Sequence, residues 1–185
     1  MNWNEYIQYA ADALSSETPF APYDDPDYLE YAKMNEARMK RWLKTNPLTE
    51  NTIAAVKSLQ KNQRWIVITE PWCGDAAHIT PILYMMSELN LKVHFEIQLR
   101  DTDSEIDNYL TNGTKSIPVI IVRDDEGKDV FIWGPRPAAA QELYLDLKAK
   151  DTPMEDIKIA LQNFYNKDKA ISIQEEFVDL LKKHF

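Results

Sequence analysis

The sequence predicts an α/β fold, with a small mixed β-sheet held between helices and further helices at both ends of the chain. Three observations predict it. Apolar side chains recur at spacings of three and four near the start, then give way to short β-branched or alternating runs between residues 64 and 133. Helical segments separate the first three of these runs, and such crossovers bring at least one strand pair parallel. A turn sequence, Asp124-Asp125-Glu126-Gly127, then joins the last two runs into an antiparallel hairpin.

Each element has its own signal. Trp3, Tyr6, Ile7, Ala10 and Leu14 form the apolar stripe of a first helix. The prolines of Thr18 to Pro26 end it. Asp25 caps a second helix with Pro26 at its first position, running to about Lys44. A third spans about Thr49 to Lys61. Trp65-Ile66-Val67-Ile68-Thr69, bounded by Pro71, reads as a buried strand. Asp75 to Leu89 is helical with Pro81 inside it. Leu91, Val93, Phe95, Ile97 and Leu99 alternate as a second strand. Asp101 to Leu110 is expected to be a helix closed by Asn112-Gly113. Ile117 to Val122 and Lys128 to Trp133 are the third and fourth strands. Helices over Pro137–Lys150, Pro153–Asn166 and Ser172–His184 complete the chain. The expected organisation is one domain over 1–185, with a helical N-terminal part at about 1–47, a core at about 48–150 and a helical C-terminal part at about 151–185.

With 185 residues, 44% of them hydrophobic, the chain can bury a real core. Asp and Glu total 30 against 21 for Lys and Arg. The resulting net charge of −9 repels phosphate backbones and anionic bilayers, which argues against nucleic-acid and membrane partners. No run approaches the roughly 18 apolar residues of a membrane span. The N-terminus lacks a basic-then-apolar leader, so a cytoplasmic location is expected. The one cysteine, Cys73, excludes an internal disulfide, a dithiol centre and a multi-cysteine zinc site. No metal or organic cofactor is expected.

Cys73 sits in Pro71-Trp72-Cys73-Gly74-Asp75-Ala76, where a strand ends and a helix begins. Free backbone amides and the helix dipole there favour an anion and so a reactive thiolate. Gly74 allows a tight turn and leaves the sulfur approachable. The ordinary alternative is a small buried hydrophobe. The run Trp72-Cys73-Gly74-Asp75-Ala76 resembles the Trp-Cys-Gly-Pro-Cys site of thioredoxins. Pro81, eight residues after the cysteine, matches the proline inside that family's active-site helix. Ile117-Pro118, 45 residues downstream, matches its cis-proline, which lies against the sulfur and pairs with substrate backbone. Gly134 matches the glycine after the last strand. The resemblance runs over about residues 50–150, and Gly134-Pro135-Arg136-Pro137 is similar to a segment of a bacterial thioredoxin-like subfamily that carries Trp-Cys-Gly-Asp.

The family's resolving cysteine falls on Ala76 and its buried proton-relay aspartate on Val67, so a two-thiol reductase cycle is not expected. What the resemblance implies is thiol–disulfide exchange or deglutathionylation by the single thiol of Cys73. Protein or small-molecule thiols and disulfides would be its partners, with a low-molecular-weight thiol as co-substrate. Trp72 would shield the site, Gly74 would admit the partner, and Pro118 would position its backbone. The alternative is a non-catalytic binding or adaptor module that keeps the fold and has lost turnover.

Ile117, Gly134, Arg136 and Arg100 are the candidate substrate-contacting residues. In a thioredoxin-like topology the loops bearing Arg100 and Arg136 approach Cys73, where a guanidinium lowers the thiol pKa and can hold a carboxylate. Each can instead pair with a neighbour, Arg100 with Asp101 or Asp103. Asp75 opposes a thiolate two residues away, or caps the helix. His78 is expected in a packing or surface role and Glu70 at a solvated strand end. The aromatic-rich segment Tyr23 to Trp42 is expected as core, with a ligand groove as the alternative.

Overall fold

The computed structural model describes residues 1–185. Its sheet is built on β1 (Gln63–Thr69), whose Trp65, Ile66, Val67 and Ile68 are all fully buried. Burial on both faces is what a continuous apolar run requires. β2 (Val93–Leu99) lies parallel to β1, with Trp65 opposite Phe95 and Val67 opposite Ile97. On its other side β1 pairs antiparallel with β3 (Val119–Asp124), and β4 (Asp129–Trp133) completes the order β2-β1-β3-β4. The mixed sheet follows directly from one helical crossover and one hairpin. β3 starts two residues later than expected because Pro118 has no N–H for the ladder.

The helices gather mainly over the face of the sheet that carries Trp65 and Val67. α1 (Trp3–Ser15) is closed by a capping box between Asn2 and Glu5, and its Trp3 ring stacks on Tyr84 at 4.5 Å. α2 (Pro26–Thr45) starts on Asp25, whose side chain accepts the Asp27 N–H at 2.8 Å. α3 (Glu50–Lys57) stops short of Lys61, where the Asn90 side-chain amide takes the carbonyls of Val56 and Leu59. α4 (Gly74–Ser87) is the β1–β2 crossover and is buried on nearly every side, which explains its lack of a polar stripe. α5 (Ala138–Ala149), α6 (Met154–Asp168) and α7 (Ile171–His184) follow the sheet. The alternate faces of β1 point to different neighbours. Trp65 and Val67 join the main core with α1, α3, α4 and α7, whereas Ile66 and Ile68 join a smaller cluster holding Cys73, Ala76, Ile117 and Val119.

One element expected from the sequence is absent. Asp101 to Leu110 forms no α-helix, only a 3-10 turn at Ile106–Asn108. Side chains intercept its backbone: the Asp101 N–H donates to Glu70 Oε1 at 3.0 Å and the Glu105 N–H to Gln98 Oε1 at 3.0 Å. Ser104 Oγ meanwhile donates to the Arg100 carbonyl. The Glu105 amide is therefore unavailable to the Asp101 carbonyl, the bond with which a helix there would begin. No helix is long and apolar enough to cross a membrane.

Candidate functional site

Cys73 is the N-cap residue of α4, delivered there by the turn after β1. Its Sγ donates to the Ile117 carbonyl at 3.4 Å, and the Ile117–Pro118 peptide is cis. Only 7% of Cys73 is exposed. Burial pushes its thiol up to about 12, helped by the Asp75 carboxylate; the Ala76 amide and Arg136 pull down and do not compensate. The activation expected from the helix N-terminus is therefore outweighed, because desolvation penalises the thiolate more than the dipole favours it. Ala76, one turn along, is buried in the same cluster.

Asp75 does not cap α4, contrary to one reading of the sequence. Its carboxylate spans the site instead: Oδ2 pairs with Arg136 Nη2 at 2.7 Å and Oδ1 accepts from the Tyr165 hydroxyl at 2.8 Å. Burial raises the Asp75 pKa, and Arg136 opposes the rise. Arg136 also donates to Gln141 Oε1 at 3.0 Å and lies 4.3 Å from the Tyr144 ring centroid. Arg100 takes the neighbour pairing, donating twice to Asp101 at 2.8 and 2.7 Å while its guanidinium covers Trp72 at 4.6 Å.

These residues line one cavity of about 820 Å³ with Cys73, Gly74, Arg100 and Arg136 all on its wall. Two of its walls are helices, one within the Tyr23–Trp42 segment whose alternative reading is a ligand groove and one that sequence reasoning missed. The first is α2, from which Tyr28, Tyr31, Met34, Asn35 and Arg38 face the cavity. Asn35 Nδ2 donates to the Pro71 carbonyl at 2.9 Å and Arg38 Nη1 donates to Asn35 Oδ1 at 2.7 Å, so α2 grips the cysteine loop. The second wall is α6. Tyr31 donates to Glu155 Oε1 at 3.3 Å and Lys158 bridges both, which ties α2 to α6 across the rim. The signal for α2 was its aromatic richness, which puts Tyr28 and Tyr31 on the wall, while the buried polar Asn35 in the stripe Ala32, Asn35, Met39, Trp42 passed unread. Nothing marked α6. The segment Tyr23 to Trp42 is accordingly part core (Tyr23, Met39, Trp42) and part cavity wall.

The remaining candidates fall elsewhere. His78 is buried: Trp42 Nε1 donates to its Nδ1 at 3.0 Å, so Nε2 carries the proton and donates to Gln162 Oε1 at 3.1 Å. Desolvation holds its pKa down at about 3, and the ring stacks on Tyr165. Glu70 is not solvated; it is 2% exposed and raised to about 7 by burial. The turn folds back over it because its carboxylate holds the Asp101 amide. Gly134 does not line the cavity. At φ +119° it packs against the backbone of Pro118, where a Cβ would overlap the carbonyl oxygen and come 3.5 Å from Val119 Cα. No three His, Cys, Asp or Glu side chains gather closely enough to hold a metal ion.

A cysteine at the turn from the first strand into a helix, set against a cis-proline at the head of the third strand, defines a thioredoxin-type fold and site. A thioredoxin family model matches residues 23–154, and the chain belongs to that family. No curated protein matches it. Among solved structures it is similar to a protein of unknown function from Pseudomonas aeruginosa, with TM-score 0.63 and 14% identity over 98% of this chain and 92% of that one. It is also similar to an HIV epitope scaffold, with TM-score 0.60 and 16% identity over 99% of each chain. These likenesses extend the shared fold to the terminal helices.

Proposed function

We propose that this chain is a thioredoxin-fold binding module: the cavity beside Cys73 takes up a small partner, and the thiol does not turn over. The state of Cys73 carries this reading. Its thiol, pushed up to about 12, is protonated at neutral pH and spends its proton on the Ile117 carbonyl. Ala76 offers no second sulfur to release a mixed disulfide, and the fully buried Val67 offers no proton acceptor. The walls added by α2 and α6 further suit uptake of a small molecule over docking of a folded one.

A second reading has one observation in its favour. Cys73 lies on the cavity wall beside Ile117 and Pro118, as a monothiol exchanging with a small disulfide, or removing glutathione from one, would require. Turnover separates the two. Wild type, Cys73→Ser and Ala76→Cys are assayed for insulin reduction with dithiothreitol, and for mass gain on incubation with oxidised glutathione. The binding reading expects wild type to match Cys73→Ser in both. Mixed-disulfide formation or reduction in wild type that vanishes in Cys73→Ser would overturn it in favour of exchange.

A further inference from the structure

We infer that the cavity's occupant is a small organic anion, carrying a carboxylate or phosphate on a flat apolar body. The inference rests on the binding reading above and adds the ligand's chemical class. Its first ground is charge. In a chain of net charge −9, five cations line the cavity (Arg38, Arg100, Lys115, Arg136 and Lys158) against two acids, Asp75 and Glu155. Four of the five have a carboxylate partner: Arg100 with Asp101, Lys115 with Asp107, Arg136 with Asp75 and Lys158 with Glu155. Arg38 has none; its one side-chain bond is to the neutral amide of Asn35. Burial and the nearby Arg41 pull its pKa down and the Asp75 carboxylate offsets only part of this, so an anion beside it would relieve a standing cost.

Position is the second ground. Arg38 Nη1 stands 3.7 Å from where a Cβ on Gly74 would lie, so the unpaired guanidinium is set against the first residue of α4. Cys73 gives that helix no side-chain cap, although the Asp75 and Ala76 amides lie toward its sulfur. Much of the remaining wall is aromatic or apolar, interrupted by Thr114, Ser116, Gln162 and Asn163. Tyr28 meets Trp72 edge to face at 5.3 Å, and Tyr31, Met34 and Met154 continue the surface outward. At about 820 Å³ the cavity is the size of a small-molecule site. A charged group beside Arg38 and a flat apolar body against Tyr28, Trp72 and Met34 suit this lining.

The probe is 8-anilinonaphthalene-1-sulfonate, an anion on a flat body, with the neutral N-phenyl-1-naphthylamine as its control. Wild type should bind the anion saturably and the neutral compound about tenfold more weakly. Arg38→Gln should weaken the anion about tenfold and leave the neutral compound unchanged, with Arg38→Lys recovering part of the loss. Should the variants fold poorly, wild type alone still decides: raising salt from about 50 to about 500 mM should weaken only the anion. Displacement by benzoate but not by phenyl phosphate identifies a carboxylate, and the reverse a phosphate. Equal affinity for the two probes, an Arg38→Gln variant with undiminished anion affinity, or displacement by neither competitor overturns the inference. Thiol turnover in the assays above sinks the binding reading whatever the probes show. Loss of charge preference with an inert Cys73 sinks only the ligand assignment.

Discussion

Replacing Glu70 by Gln should stabilise the protein, and the gain should depend on pH. Glu70 follows β1, almost fully buried, with Asp101, Arg100 and the hydroxyls of Tyr6, Tyr9 and Tyr23 as its charged and titratable neighbours. Burial raises its pKa from 4.5 to about 7. The unfolded chain therefore releases this proton more readily than the folded one. The native state is relatively favoured below about pH 4.5 and loses that advantage as pH climbs to about 7. At about 1.4 kcal/mol for each pH unit, the full cost above pH 7 is about 3 kcal/mol. Gln keeps an oxygen for the Asp101 amide and cannot ionise. Urea melts of both proteins should show Glu70→Gln more stable by about 2 to 3 kcal/mol at pH 8 and by under about 1 kcal/mol at pH 5. A variant no more stable at pH 8, or a gain that does not change with pH, refutes the reasoning.

Two other substitutions test particular contacts. Gly134→Ala puts a Cβ on the Pro118 carbonyl at a φ that L-residues rarely adopt, and denaturant melts should show a loss of about 3 kcal/mol or more; a loss below about 1 kcal/mol contradicts the close packing. Asp75→Asn leaves the Arg136 guanidinium without its carboxylate and should cost about 3 kcal/mol. It should also lower the Cys73 pKa, since Asp75 is the largest charge holding it up; an unchanged alkylation profile counts against that coupling.

The parts of this fold that announce themselves in sequence are those set by local rules. β1 is visible because burial on both faces demands a run such as Trp65 to Thr69, and the 124–127 turn because Asp124 and Gly127 suit a tight reversal. Arg136 and Arg100 could be brought toward Cys73 from topology alone. What stayed hidden depends on partners distant in the chain. Asp101 to Leu110 reads as a helix closed by Asn112-Gly113, but it is rich in Asp, Thr, Ser and Asn, and Glu70 and Gln98 take two of its amides from across the sheet edge. Asp75 has the look of a first-turn acid until Tyr165, 90 residues later, supplies a hydroxyl. The activation argument for Cys73 weighed the helix end and could not weigh burial, which depends on α2 folding over the loop through Asn35 and Arg38.

The central claim is that Cys73 is held as a protonated thiol at the wall of a binding cavity. Its most direct test is the rate of Cys73 alkylation by iodoacetamide as a function of pH in the native protein, read by intact mass, with the urea-unfolded chain as reference. Cys73 is the only cysteine, so the signal belongs to one site. The unfolded chain should titrate near the ordinary value of about 8.5. The native protein should react more slowly at every pH, with its rate still climbing and no plateau at about pH 10, as a pKa near 12 requires. A native plateau with an apparent pKa below about 7.5 would contradict the account and make Cys73 an activated nucleophile.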